Sequence, residues 1–291
     1  MTLIAGGHDA GTTSSRSRRW ARASGLLVDE WLFERAPPPD LSEHLVCTWR
    51  GDIGEMWAPL PDECVDLYWV DGSVWVSGPE TRSFRSEARR VRPPANAVGV
   101  RFHPGVAPSF LGVSASDLRD VRIPLEAMWD DKRSRELADR VGCRQEYDAR
   151  ADELENAIRD MAARAWNPDP VALEVSARLR TQRTASVRDL ARATSLSERQ
   201  LNRRCTIAFG YGPAFLARIM RVQRFLRLAR DQTRPQRIVD LAVASGYADQ
   251  SHLTREVRSV MGMTPKDLVR SAPTCPIGSR PQPAVGVSLD G

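Results

Sequence analysis

The sequence predicts an α+β protein, with a β-rich N-terminal half and an all-helical C-terminal domain. Between His44 and His103, short segments rich in β-branched and aromatic residues alternate with Gly, Pro and Asp turns. From Val171 onward, apolar residues recur at helical spacing in short segments separated by tight turns. Because the chain has 291 residues, more than one compact domain usually needs, we expect two domains.

The N-terminal half contains four clear strand candidates, at residues 45–49, 65–70, 74–76 and 97–102. Asp71-Gly72 separates the second and third, and this dipeptide is typical of a two-residue hairpin turn. Apolar residues at helical spacing predict a helix at 148–165, and the Pro-containing segment 166–170 predicts a domain boundary. Low-complexity segments 1–22 and 271–291 predict disordered tails.

Charge is distributed unevenly along the chain. Residues 171–270 contain 19 Lys or Arg against 8 Asp or Glu, a net charge of +11. Since the whole chain carries +5, the remainder carries −6. This asymmetry favours a C-terminal segment that meets a polyanion.

Several function classes find no support in the sequence. The five cysteines are widely spaced without a Cys-x-x-Cys pair, so we expect no disulfide framework or zinc knuckle, and a reducing, cytoplasmic location. No apolar run approaches the roughly 18 residues of a membrane span, and the N-terminus lacks a secretory apolar region. Without a nucleophile elbow or phosphate loop, we expect neither an enzyme nor a cofactor.

A repeat in the C-terminal domain carries the functional prediction. Asp189-Leu190-Ala191 recurs as Asp240-Leu241-Ala242. Each copy continues to a leucine followed by a polar residue and an arginine, at Leu201 in the first copy and at Leu253 in the second. A repeated supersecondary unit explains this similarity.

Each copy has the form of a helix-turn-helix unit. In the first, Ser195 lies in the turn, and Ser197 is the N-cap of the second helix with Gln200 completing a capping box. In the second, Gly246 supplies the turn and Asp249 the N-cap. The predicted buried stripes of the two second helices are Leu201, Cys205 and Phe209, and Leu253, Val257 and Val260.

The polar residues left on the outer faces suit base recognition. Arg binds guanine through two hydrogen bonds, and Gln or Asn can bind adenine in the same way. One such helix would more often be a solvated surface. Two copies with a capped second helix and a basic outer face favour binding to double-stranded DNA.

Residues of about 171–270 resemble the DNA-binding domain of the AraC/XylS family of bacterial regulators. The resemblance rests on segments 189–191, 196–204, 238–242, 246–256 and 262–265. It implies seven helices in two subdomains, a linker helix from about Pro213 to Arg230, and two recognition helices in successive major grooves. Three positions depart from the family pattern. Cys205 and Val257 stand where an aromatic residue is usual, and Ser195 stands where glycine is common.

The resemblance also implies which side chains meet DNA. The base-contact candidates are Arg199, Asn202 and Arg203 in the first unit, and Gln250, Ser251, Thr254 and Arg255 in the second. The phosphate-contact candidates are Ser197, Arg221, Arg224, Arg227, His252 and Arg258. The arginine stripe of the linker helix has a solvated surface as its equal alternative, and for His252 a capping or packing role is favoured.

Residues 40–135 resemble the accessory domain of one AraC-family subgroup, through segments 61–67, 76–79 and 99–105. This implies a cupin-like antiparallel β-barrel or sandwich that binds an effector, dimerises, or both. We expect Arg101, a charge near the end of an apolar strand, to pair with an internal carboxylate such as Asp66 rather than an anionic ligand. Two groups of residues allow a ligand or metal site, but for most of them a core role is favoured: Trp49, Trp57, Tyr68, Trp69 and Trp75, and His44, Cys47, Cys64 and His103.

Together these observations predict a sequence-specific DNA-binding transcription regulator. We divide the chain into a tail (1–22), a sensory or dimerisation domain (23–146), a helix and linker (147–170), the DNA-binding domain (171–270) and a second tail (271–291). The resemblance leaves RNA polymerase, an unidentified small-molecule effector and a second copy of the chain open as further partners. The alternatives are a non-specific architectural DNA binder and, less favoured, a DNA-modifying enzyme.

Overall fold

The computed structural model describes residues 21–22, 33–53, 60–81, 95–165, 167–230 and 237–271. Within these residues it confirms the α+β prediction, with one antiparallel sheet in the N-terminal half and seven helices in the C-terminal domain. Residue Trp57 and the segments 1–20 and 272–291 lie outside the described residues, so neither predicted tail is described in full.

In the described part of the N-terminal half, the sheet has seven strands in the order β1-β2-β3-β6-β4-β5-β7, and all neighbouring strands are antiparallel. The four predicted strands are present as β3 to β6, but the sequence did not indicate β1, β2 or β7. Ala21 and Arg22, assigned above to a tail, instead pair with β2. The strands are β1 (Ala21–Arg22), β2 (Phe33–Arg35), β3 (Leu45–Ile53), β4 (Asp66–Val70), β5 (Ser73–Ser77), β6 (Ala95–Phe102) and β7 (Arg122–Pro124).

The predicted hairpin joins β4 to β5. Val70 pairs with Ser73, so the loop contains only Asp71 and Gly72. Both loop residues are left-handed, with φ of 49° and 82°. This is the backbone of a type I′ turn, which suits the twist of the flanking strands.

One face of the sheet packs against three helices, α1 (Ala107–Leu111), α2 (Asp131–Gly142) and α3 (Tyr147–Ala165). Trp69 belongs to this core, and its indole Nε1 donates to the carbonyl of Ala138 in α2 at 3.1 Å. A core role for Trp69 is therefore confirmed. A smaller buried cluster lies on the opposite face, formed by Val46, Cys47, Trp49, Tyr68 and Ala97.

Helix α3 belongs to the N-terminal core rather than to a linker. Its Leu154 and Ile158 are fully buried there. The buried guanidinium of Arg35 in β2 also binds Asp152 at 2.6 Å and Glu155 at 3.1 Å. The N-terminal core therefore extends through α3, and the segment that links it to the next helix is short.

The C-terminal helices enclose a second buried core. The linker helix α7 runs from Pro213 to Arg230, as the family resemblance implied. None of the helices among the described residues is long and apolar enough to span a membrane. The seven helices are α4 (Pro170–Thr181), α5 (Val187–Ala193), α6 (Glu198–Phe209), α7 (Pro213–Arg230), α8 (Ile238–Ser245), α9 (Gln250–Met261) and α10 (Pro265–Ser271).

Candidate DNA-binding surface

Two helix-turn-helix units are present, α5–α6 and α8–α9, with the same turn geometry. Ser195 has φ of 55° in the first turn, and Gly246 has φ of 92° in the second. The residue after each turn donates its backbone N–H to the preceding helix: Leu196 to the carbonyl of Ala191, and Tyr247 to that of Ala242, both at 3.0 Å. Ser195 thus adopts the bend that glycine usually provides, as the sequence required.

The second helix of each unit is capped as predicted. The backbone N–H of Gln200 donates to Ser197 Oγ at 3.3 Å, and the N–H of Ser197 donates to Gln200 Oε1 at 3.0 Å. In the second unit the N–H of His252 donates to Asp249 Oδ1 at 2.7 Å. These bonds satisfy N–H groups that have no partner within the helix, so α6 and α9 have defined starting points.

A third cap was missed from the sequence. Ser186 and Asp189 form a capping box at the start of α5. The hydrogen bonds from Ser186 hold the pKa of Asp189 below its usual value. The Ser-x-x-Asp spacing could have revealed this box before the structure did.

The inner faces of α6 and α9 are buried as predicted. Leu201, Cys205 and Phe209 of α6 are at most 1% exposed, and so are Leu253, Val257 and Val260 of α9. Burial raises the pKa of the Cys205 thiol to about 12. Cys205 is therefore a core residue, and its burial disfavours the thiolate, which is the reactive form.

The opposite faces carry the predicted base-contact residues. Arg199, Asn202 and Arg203 are exposed on the N-terminal half of α6. On α9, Gln250, Ser251 and Arg255 are exposed, and Thr254 is half-buried. The hydroxyl of Thr254 donates to the carbonyl of Gln250 at 2.8 Å.

The arginines of the predicted phosphate stripe on α7 do not form one exposed surface. Arg224 is buried, and its guanidinium donates to the carbonyls of Leu179 at 2.7 Å, Arg180 at 3.2 Å and Ser245 at 3.5 Å. It thereby joins the C-terminal ends of α4 and α8 to the linker helix. The phosphate assignment of Arg224 is wrong, because helix ends distant in sequence supply carbonyls that occupy its donors.

A second arginine of the stripe, Arg221, binds a carboxylate in α9. Glu256, whose side chain is 10% exposed, accepts from Arg221 at 3.1 Å and lies 3.6 Å from Nε of Arg218. His252 lies 4.0 Å from the same carboxylate and packs edge-on against the ring of Tyr247. The packing role favoured for His252 fits this arrangement. The sequence reasoning missed Glu256 and Arg218, since only the fold brings α7 and α9 together.

The remaining phosphate candidates differ in their surroundings. Arg227 and Arg258 are exposed. Ser197 is exposed too, but its hydroxyl is engaged in the capping box. Because the first N–H groups of a helix favour anions, the start of α6 keeps a chemical basis for a phosphate contact even without that hydroxyl.

In the N-terminal domain, Arg101 finds the internal partner that was expected. Its guanidinium donates to both oxygens of Asp66, at 3.0 and 2.9 Å, and lies 3.1 Å from Asp62. The indole of Trp49 donates to the same Asp66 at 2.9 Å. Arg101 is therefore part of a paired network.

The two histidines of this domain have packing contacts. His44 lies edge-on to Phe110, and the ring of His103 lies 3.2 Å from the carbonyl of Ser42. Burial lowers the pKa of both, that of His103 to about 4. Among the described residues, no group of three or more His, Cys, Asp or Glu is placed to hold a metal ion.

Two capped helices, each following a tight turn and presenting a basic outer face, define the C-terminal half as a helix-turn-helix DNA-binding domain. A family model described as "Helix-turn-helix domain" matches residues 190–271. This is an AraC-type domain, and the chain is a DNA-binding transcription regulator that carries it. A second family model, described as a domain of unknown function (DUF6597), matches residues 33–124.

Similar solved structures include two of ToxT from Vibrio cholerae. One is 11% identical, with a TM-score of 0.40, and covers 76% of this chain and 96% of that chain. The other, an unsaturated fatty acid bound wild-type ToxT, is 12% identical, with a TM-score of 0.43, and covers 76% and 94%. No curated protein matches the chain.

Proposed function

We propose that the protein is a sequence-specific transcription regulator whose helices α6 and α9 enter successive major grooves on one face of DNA. One observation carries the proposal: both helices bury one face completely and expose Arg together with Asn or Gln on the N-terminal half of the other. The N-terminal half of a recognition helix is the part that reaches base edges.

Within this proposal the two helices divide the base contacts. Arg199, Asn202 and Arg203 act from α6. Gln250, Ser251, Thr254 and Arg255 act from α9. Each bidentate pair discriminates against a wrong base by about 1–3 kcal/mol, so a few such contacts suffice for a preferred sequence.

The phosphate contacts are proposed on a reduced set of residues. Arg227 and Arg258 are exposed, and the N-terminus of α6 at Ser197 offers backbone N–H groups. Arg221 and His252 already face Glu256, so we assign them to holding α9 against α7. Phosphate contacts position a protein on DNA without reading its sequence.

We further propose that the N-terminal domain, which includes α3, is regulatory. In this proposal it responds to a small molecule or to a second copy of the chain. On the sheet face opposite the main core, Trp49, Tyr68 and the partly buried Trp75 form an aromatic row. The paired charges of Arg101 and Asp66 border this row. Aromatic side chains beside a few fixed polar groups are typical of small-molecule sites.

The test uses a duplex selected from random sequence by the full chain. Arg203→Ala and Arg255→Ala should each lower affinity for it by roughly 1–3 kcal/mol and relax preference at different positions, about one helical turn apart. Arg135→Ala, which removes an exposed arginine from α2, is the matched control. Equal weakening on all sequences would instead support the non-specific architectural binder.

A further inference from the structure

The C-terminal end of recognition helix α6 is held by the N-terminal domain. The backbone N–H of Ala115 donates to the carbonyl of Ile207 at 2.8 Å, and the hydroxyl of Ser114 donates to the same oxygen at 3.3 Å. Arg119 donates to the carbonyl of Gly210 at 3.2 Å. We call residues 112–119, which supply all three donors, the docking segment.

These contacts satisfy groups that a helix leaves open. The last carbonyls of an α-helix have no N–H partner within the helix. Here Ile207 lies in the last turn of α6 and Gly210 is its C-cap. Partners for both carbonyls come from a segment about 90 residues earlier in the chain, so the helix end is capped by the other domain.

The two domains also approach closely enough to require glycine. A Cβ on Gly210 would lie 2.8 Å from Pro79 and 2.9 Å from the carbonyl of Ala115. On the other side of the interface, a Cβ on Gly105 would lie 2.9 Å from the ring of Phe209. Ala115 is fully buried. Such close approach fixes the end of α6 with little freedom to tilt.

A second contact holds the linker helix. Gln223 of α7 donates to the carbonyl of Pro61 at 2.6 Å. Next to it, burial raises the pKa of Glu63 well above its usual range, while the guanidinium groups of Arg180 and Arg227 act in the opposite direction. The N-terminal domain therefore contacts the first unit and the linker helix side by side.

The second recognition helix ends differently. Gly262, the C-cap of α9, has φ of 67°, yet a Cβ there would meet nothing within 4 Å. Within the part of the chain that the structure describes, the side chains of α9 form their hydrogen bonds and ion pairs with residues of the C-terminal domain, including Arg218 and Arg221 of α7. The N-terminal domain thus contacts α6 directly, whereas α9 is in contact with the linker helix α7.

We propose that the docking segment sets the angle at which α6 enters DNA, with Ser114 and Arg119 as positioning residues. The segment holds the C-terminal end of α6, whereas Arg199 and Asn202 lie exposed toward its N-terminal end. It therefore orients the reading half without covering it. A change in the N-terminal domain that moves this segment alters reading by the first unit before the second. The inference rests on the proposed two-groove reading of DNA.

The experiment compares the two half-sites of one duplex. A duplex is selected from random sequence with the wild-type full chain, and hydroxyl-radical footprints are titrated for wild type and for Ser114→Ala/Arg119→Ala. The loss of two hydrogen bonds should weaken protection of the half-site read by α6 by roughly three- to tenfold and leave the half-site read by α9 unchanged. Arg203→Ala and Arg255→Ala assign the half-sites, and Arg135→Ala is the control for charge removal.

A second measurement does not depend on a variant. In the wild-type chain, the amide of Ala115 should be protected from hydrogen exchange, because it is buried and hydrogen-bonded to Ile207. Since Ile207 belongs to the other domain, this protection reports on the contact between the domains. Rapid exchange of this amide would overturn the inference. The inference would also be overturned if the double variant weakened both half-sites equally, or weakened neither. Those two outcomes would not contradict the proposed function. If the wild-type chain selects no sequence at all, the proposed function itself fails.

Discussion

The two helix-turn-helix units share one motif but are attached to the rest of the molecule in different ways. In the first unit, the end of α6 is held by the docking segment through Ile207 and Gly210. In the second, Glu256 of α9 binds Arg221 and approaches Arg218 on the linker helix. The two units thus share the same turn geometry and a capped second helix, but they differ in which part of the molecule their second helix contacts.

Because their contacts differ, the orientation of each unit depends on a different part of the molecule. The first unit is in contact with the N-terminal domain, so its orientation depends on that domain. The second unit depends on the linker helix, whose buried Arg224 also joins the ends of α4 and α8. We therefore expect changes in the N-terminal domain to affect the first half-site most, and changes in α7 to affect both.

The turn of the second unit provides the largest expected effect on stability. Gly246 has φ of 92°, and a Cβ there would lie 2.7 Å from the carbonyl of Arg183. Gly246→Ala should lower the free energy of unfolding by about 2–4 kcal/mol, from left-handed strain together with the backbone clash. Chemical denaturation measures this change.

The matched control is Gly262→Ala at the end of α9. Gly262 is also left-handed, with φ of 67°, but a Cβ there meets open space. It should therefore show the strain alone, about 1–2 kcal/mol. Equal losses for the two variants would mean that the second turn is not packed against Arg183, and the contrast between crowded and open glycines would be lost.

The fastening of α9 to the linker helix gives the next largest effect. Glu256→Gln removes the charge that pairs with Arg221 and Arg218, in a site where the carboxylate is 10% exposed and the arginines 19% and 35%. Because such a pair is neither surface-exposed nor fully buried, we expect a loss of about 2 kcal/mol. Thermal or chemical unfolding of the full chain measures it.

Glu198→Gln on α6 is the control for this variant. Glu198 is an exposed carboxylate in the first turn of a recognition helix, and its loss should cost at most about 1 kcal/mol. A larger effect at Glu198 than at Glu256 would show that α9 does not depend on the linker helix in the way proposed.

Local signals in the sequence predicted much of the architecture and which faces of α6 and α9 are buried or exposed. The Asp71-Gly72 hairpin, the capping box at Ser197 and the N-cap at Asp249 each depend on residues a few positions apart, and each is present. The bounds of the linker helix and the buried stripes follow from helical periodicity in the same way.

Features that depend on distant segments were not predictable in this way. The spacing of Arg224 resembles that of an exposed stripe, and only the ends of α4 and α8 show that it is buried. The role of Glu256 requires α7 and α9 to be adjacent, and the docking segment requires the two domains to be in contact. No local periodicity carries these contacts, because their partners are tens of residues away.

The smallest expected effect concerns the turn of the first unit. Ser195 has φ of 55°, which costs a residue with a Cβ about 1–2 kcal/mol relative to glycine. Glycine loses about 0.5–1 kcal/mol more backbone entropy on folding. Ser195→Gly should therefore stabilise the chain by about 0.5–1 kcal/mol, measured by chemical denaturation.

Ser195→Ala separates backbone strain from the chemistry of the hydroxyl, because alanine keeps the Cβ and so keeps the strain. It should give no gain. If alanine stabilised the chain as much as glycine, the benefit would come from removing an exposed hydroxyl and not from relief at the bend. The two turns would then be equivalent in backbone energy, and the two units would differ only in their attachments: the docking segment for α6, and Glu256 with the linker helix for α9.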